Sequence, residues 1–160
     1  MKKLKLTEWA AVAEVVGTIG VMVSLVFVAF SINNNTEEVR ASQTNYVYDT
    51  SRQIELMVAA DPEWVSIVIK GRNHSEQLSE VEQYRYDAYL VANVDLWDAM
   101  LERHADGLIN SFQLGGWDDY FIGWTERHIA DSDWQRIKWQ YRDYDIAQKI
   151  EAVLSAESIQ

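Results

Sequence analysis

The sequence predicts an all-α protein: a single N-terminal transmembrane helix followed by a helical-bundle domain of about five helices. Three observations predict it. Residues 9–32 (WAAVAEVVGTIGVMVSLVFVAFSI) form an apolar run long enough to cross a bilayer. Residues 33–160 carry helix-cap signals and apolar side chains at helical spacing. No stretch combines strand alternation with hairpin turn chemistry. The 160 residues thus divide into a basic N-terminal flank (1–8), a transmembrane helix (9–32) and an acidic helical domain (33–160).

The flank holds Lys2, Lys3 and Lys5, and Trp9 stands where an interfacial aromatic anchor belongs. No charged residue occurs from Val15 to Ile32. A helix over 9–32 is roughly 36 Å long, enough for the ~30 Å hydrocarbon core with some tilt. Asn33, Asn34 and Asn35 end the run. A secretory signal peptide shares the basic start, and Ala29-Phe30-Ser31 resembles a cleavage site. Such a peptide has an apolar stretch of only ~7–15 residues, however, and Glu14 interrupts this one. A buried core helix of this length and all-round apolarity does not suit so small a domain.

Within the span, Ala10, Ala13, Gly17, Gly20, Ser24, Phe27 and Ser31 are spaced alternately three and four residues apart. Six of these are small, and only Phe27 breaks the seam. Small residues let helix backbones approach closely, the usual basis of helix association in lipid. The other faces carry Val, Leu, Ile, Met and Phe, which suit lipid. Glu14 lies next to seam residue Ala13. A carboxylate is costly in hydrocarbon. Three readings stay open for it: headgroup depth, pairing with a partner or across an oligomer, or a ring of Glu14 side chains lining a cation path.

Behind the span, Thr36 with Glu37 and Glu38 has the chemistry of a helix N-terminus. A helix over 36–60 either starts there or runs on from the span. Val39, Tyr46, Ile54, Met57 and Val58 supply its apolar face. Asp61-Pro62 opens a short helix (EWVSIVIK) that stops at Gly71. Residues 72–78 read as a loop. Ser79 and Glu82 form a capping box. The helix that follows runs to about Asp106, ends at Gly107, and carries a core stripe of Tyr86, Leu90, Val94, Trp97 and Leu101. Leu108, Ile109, Phe112 and Leu114 form a less regular stretch that Gly115-Gly116 breaks. Helices over about 117–130, 133–142 and 145–156 complete the domain, with Ser132 as an N-cap. Trp64, Trp97, Trp117, Trp124, Trp134 and Trp139 are expected mostly in the core and at helix contacts.

Composition excludes several functions. Net charge is -11, from 14 basic and 25 acidic residues, and the acidic excess lies behind the span. Nucleic acid repels such a domain. With no cysteine, thiolate metal sites, disulfides and a cysteine nucleophile are excluded. His74, His104 and His128 show no HExxH arrangement. Asp95, Asp98 and Glu102 share a helix face and could meet a divalent cation, but a solvated face explains them more simply. There is no P-loop, no GxGxxG and no GxSxG. No catalytic constellation, metal set or cofactor is therefore expected.

Several stretches taken in order resemble an uncharacterised family of small bacterial membrane proteins. They are Thr7-Glu8-Trp9-Ala10-Ala11, the glycine-containing span, Asn35-Thr36 with Arg40-Ala41-Ser42, and Asp61-Pro62-Glu63 through Lys70-Gly71. Leu78-Ser79 with Glu82 and Arg85, then Trp97-Asp98 before Asp106-Gly107, continue the match. The resemblance implies one N-terminal span, a helical domain and the bacterial inner (plasma) membrane; it implies no activity. Proteins of that group carry several arginines after the span, which implies a cytoplasmic domain. Here Arg40 is the main one, while three lysines precede the span and favour a domain outside. The two signals point to opposite sides.

The functional expectation is a single-pass membrane-anchored module for oligomerisation or protein interaction. Its partners are the bilayer, a second copy through the transmembrane helix, or another membrane protein. The alternative expectation is a homo-oligomeric ion channel or pore with Glu14 near the conduction path.

Overall fold

The computed structural model describes residues 6–142 and 144–157, with side chains described over 9–142 and 144–156. Lys2, Lys3 and Lys5 of the basic flank lie outside the described residues. Among the described residues all regular structure is helical. The helices are α1 (Leu6–Ala59), α2 (Pro62–His74), α3 (Glu80–Ala105), α4 (Ser111–His128), α5 (Asp131–Ile137) and α6 (Asp145–Glu157). Short 3-10 turns occupy Ser75–Gln77 and Lys138–Tyr141. The protein is all-α, as the sequence predicts. The chain divides into two compact units, Met1–Ala41 and Ser42–Gln160.

In the first unit, the second of the two readings of residue 36 holds: the helix runs on from the apolar stretch. Asn33, Asn34, Asn35 and Thr36 are helical, so no new helix begins at Thr36. The Thr36 hydroxyl donates to the Ile32 carbonyl at 2.9 Å. It thus bonds back along the helix, as threonines inside helices do, instead of capping the next turn. Thr18 donates to the Glu14 carbonyl in the same way at 2.9 Å.

In the second unit, α3 is central and packs against α2, α4, α5 and α6. Its start follows the sequence. Glu82 accepts from the Ser79 backbone N–H at 2.7 Å, and the Ser79 hydroxyl accepts from the Glu82 N–H at 3.4 Å. The Ser79 N–H and then Lys70, 3.0 Å away, hold the Glu82 carboxyl well below the ordinary carboxylate range, at about 2. Tyr86, Leu90, Val94 and Trp97 are buried, and Leu101 is partly buried against the same core. The end of α3 also follows. Gly107 has φ +69°, its N–H bonds the His104 carbonyl, and the Leu108 N–H bonds the Arg103 carbonyl. This pair of bonds is the Schellman arrangement, which needs a left-handed residue and so favours glycine.

Gly71 plays a different part from the one its letter suggests. Helix α2 begins as expected, with Asp61 accepting from the Glu63 N–H at 2.9 Å and Pro62 in the first turn. It then runs through Gly71 to His74, and a 3-10 turn follows instead of an open loop. Gly71 is buried, and a Cβ there would meet the Tyr86 ring at 2.6 Å. The glycine is a contact residue that lets α2 close on Tyr86.

The Gly115-Gly116 break is likewise absent. Helix α4 runs straight through both glycines. Asn110 and Gln113 start it with reciprocal bonds of 3.1 and 2.9 Å. Half-buried Leu114 and Trp117 and buried Phe121 hold it on the core, which offsets the roughly 1 kcal/mol each helical glycine costs. Helix α5 starts two residues before the expected point, with Ala130 and not Ser132 at the N-cap. The Asp133 carboxylate accepts from the Ala130 N–H at 3.1 Å and so fixes that start.

The part of α1 in this unit turns inward a face that keeps Ile54 and Val58 of the predicted set and adds Val47. Val47 is buried and Ile54 and Val58 pack on the core, whereas Tyr46 and Met57 are exposed. Tyr46 instead lies under the Arg103 guanidinium, 4.8 Å from the ring centre. Among the tryptophans, Trp97, Trp124 and Trp134 are buried and Trp64 and Trp117 half-buried. Trp139 departs from the expectation, being 64% exposed in the 3-10 turn, whose buried residue is Tyr141.

Candidate functional site

Two surfaces stand out, one in each unit. The first is the apolar stretch of α1. Every residue from Trp9 to Ile32 is exposed. Phe27, the large residue in the small-residue seam, is 71% exposed. Ala10, Ala13, Gly17, Gly20, Ser24 and Ser31 lie along the helix with nothing from the same chain over them. A Cβ built at Gly17 or Gly20 meets no atom within 4 Å. Glu14 is exposed among these residues. The helix is long and apolar enough to cross a membrane. None of its most apolar segment is buried, unlike a core helix, whose apolar stripe is covered.

The second surface is a cleft in the helical domain, between α1 residues 48–55 and the first half of α4. Its volume is about 1200 Å³. Tyr48, Trp117 and Tyr120 form an aromatic wall: Tyr48 and Trp117 are 5.3 Å apart, and Trp117 meets Tyr120 edge-on at 5.8 Å. Asp49, Glu55 and Asp119 add three carboxylates, and Arg52 a single guanidinium. Among the described residues none of these four charged groups has a hydrogen bond or an ion pair. Glu55 and Tyr120 also border a smaller hollow of about 360 Å³ that contains Asn93, Trp124 and His128. Burial, partly opposed by its bond to the Trp124 carbonyl, pushes the His128 ring below its ordinary value. That ring is stacked on Trp124 at 5.1 Å.

Several other polar side chains join helices to one another. Trp97 Nε1 donates to Asp118 at 2.7 Å, and Lys149 donates to the same carboxylate at 2.6 Å, linking α3, α4 and α6. The Tyr141 hydroxyl donates to Asp95 at 2.7 Å. Burial first, and then Asp95, raises the Tyr141 hydroxyl far above its ordinary value. Arg136 pairs with Asp87 at 2.8 Å and with buried Asp133 at 2.9 Å. Burying Asp133 carries a cost that this pairing offsets only in part, because its Oδ1 has no hydrogen-bond partner among the described residues.

Asp95, Asp98 and Glu102 do not form a metal site. Among the described residues no three histidine, cysteine or acidic side chains come together to hold an ion. Asp95 is already engaged by Tyr141. Burial, then the neighbouring Glu102, Asp95 and Asp145, push Asp98 up to about 6. The three histidines stand apart: His74 is exposed near Glu76, His104 lies 3.2 Å from the Ile109 carbonyl, and His128 lines the hollow described above.

No protein-family model matches the chain, and no curated protein and no solved structure matches it. The functional reading rests on the residues themselves.

Proposed function

We propose that this is a single-pass, membrane-anchored protein of the bacterial inner membrane whose helical domain serves protein interaction and whose span self-associates. One observation carries the reading: the residues from Trp9 to Ile32 are exposed and mostly apolar. At roughly 25 cal/mol per Å² of apolar surface, leaving such a stretch in water is strongly unfavourable, and bilayer hydrocarbon removes that cost. The helical domain has its own core of buried residues, so it does not need the span for cover. The carboxylate and aromatic side chains exposed along its cleft suit recognition of another chain.

Extraction of membranes with alkaline carbonate tests the anchor. The protein stays in the pellet on this reading; release into the supernatant contradicts it. The seam is tested by Gly17→Ile with Gly20→Ile. A Cβ at either position meets no atom of its own chain within 4 Å, so the double variant is aimed at contacts between chains. Mass photometry in detergent should show a smaller assembly, and an unchanged size counts against the seam. A ring of five or more wild-type chains favours a pore around Glu14 over an anchor.

A further inference from the structure

The cleft between α1 and α4 has a composition that selects its occupant. We propose that it receives a basic segment of a partner protein, whose lysine or arginine side chains lie on the aromatic rings and face the carboxylates. The inference rests on the interaction reading above and adds the chemistry of the partner.

Three observations carry it. Phe112, in the first turn of α4, borders the cleft and is 91% exposed. An uncovered phenyl ring beside a cleft is the kind of anchor that binding partners cover. The floor beyond it is bare. Gly115 and Gly116 both line the cleft, and a Cβ on either meets nothing within 4 Å. Another chain's backbone can therefore approach closely. The charge is one-sided. Asp49, Glu55 and Asp119 face the opening against Arg52 alone, and none of the three carboxylates is paired among the described residues.

Cations bind over aromatic faces and gain further from unpaired carboxylates nearby. A cleft of about 1200 Å³ also exceeds the ~300–1,000 Å³ usual for small-molecule pockets, which suits a peptide segment. Tyr120 contributes as a neutral ring: burial and then Glu55 raise its hydroxyl above its ordinary value.

The test must separate the cleft from the general acidity of a chain with net charge -11. Full-length protein in detergent is titrated against a fluorescein-labelled octa-arginine peptide, with octa-glutamate as the control, and anisotropy is read. Wild type binds octa-arginine and not octa-glutamate. Phe112→Ala leaves the charge unchanged, removes only an exposed ring, and weakens binding about tenfold, the loss expected of an anchor residue. Gly116→Leu fills the floor and weakens it similarly. Arg52→Gln removes the one opposing charge and tightens binding about threefold. The proposal is overturned if octa-arginine does not bind, if octa-glutamate binds equally, or if Phe112→Ala binds like wild type. Any of these leaves the carbonate test of anchoring untouched, so failure of the cleft and failure of the anchor are distinguishable.

Discussion

Residues 9–32 and residues 42–59 belong to the same helix, α1, yet they meet their surroundings in opposite ways. Along 9–32 the apolar side chains point outward on every side and none is covered. Along 42–59 a single stripe of Val47, Ile54 and Val58 turns to the core, while charged Asp49, Arg52 and Glu55 stay exposed. Backbone hydrogen bonds are alike in both, so secondary structure does not separate them. The difference lies in what each surface suits: the first, on the proposed reading, a hydrocarbon solvent, the second a protein core on one side and water on the other.

If that contrast is correct, damage to the domain's core leaves the membrane segment alone. Trp97 is buried, stacked on Phe121 at 5.6 Å and bonded to Asp118. Trp97→Ala should cost about 3–5 kcal/mol and lower the domain's melting temperature by more than ~10 °C, read by circular dichroism. Membrane retention of the variant at low temperature should not change. Parallel loss of both would break the separation.

Gly71→Ala is the next largest effect. The new methyl falls 2.6 Å from the Tyr86 ring, and that ring is held by a 2.6 Å bond from its hydroxyl to the His128 carbonyl. Overpacking of about 1–3 kcal/mol is expected, even though alanine is the better helix former. A melt at or above the wild-type temperature would show that Gly71 is not a close-contact residue.

Asp98 gives the smallest effect and a pH signature. Its carboxyl is pushed up to about 6 from an ordinary 3.8. The folded form therefore holds a proton that the unfolded form has already lost, and stability falls as pH rises through that window. Asp98 is only partly buried, so exposure limits the gain from Asp98→Asn to about 1 kcal/mol at pH 7.5. At a pH of about 3, below both pKa values, the gain should nearly vanish. An equal gain at both values contradicts the account.

Much of the fold was legible in local signals. The capping box of Ser79 and Glu82, the Asp61-Pro62 start and the Gly107 stop each depend on residues within a few positions, and each stands as read. The errors arose where a distant residue decides. Gly71 and Gly107 are the same letter, but Tyr86 on another helix makes the first a contact residue. Leu114, Trp117 and Phe121 keep α4 helical through two glycines that would stop an isolated peptide. Val47, seven residues before Ile54 and eleven before Val58, shares their helix face, a local signal in the sequence that the larger Tyr46 beside it masks. Of the candidate sites, the small-residue seam and Glu14 could be read along one segment. The cleft could not, because Tyr48 and Trp117 meet only after folding.

The contrast within α1 is tested most directly by where its residues sit relative to lipid. The chain has no cysteine, so single cysteines can be placed one at a time from position 9 to 59 and spin-labelled in reconstituted vesicles. Collision with oxygen, which concentrates in hydrocarbon, and with a water-soluble nickel complex then reports each environment. The account predicts high oxygen and low nickel accessibility throughout 15–32. It predicts nickel access for exposed positions over 42–59, with the strongest protection at buried 47 and partial protection at half-buried 43, 44, 50, 51, 54 and 58. Nickel access throughout 15–32 would contradict it.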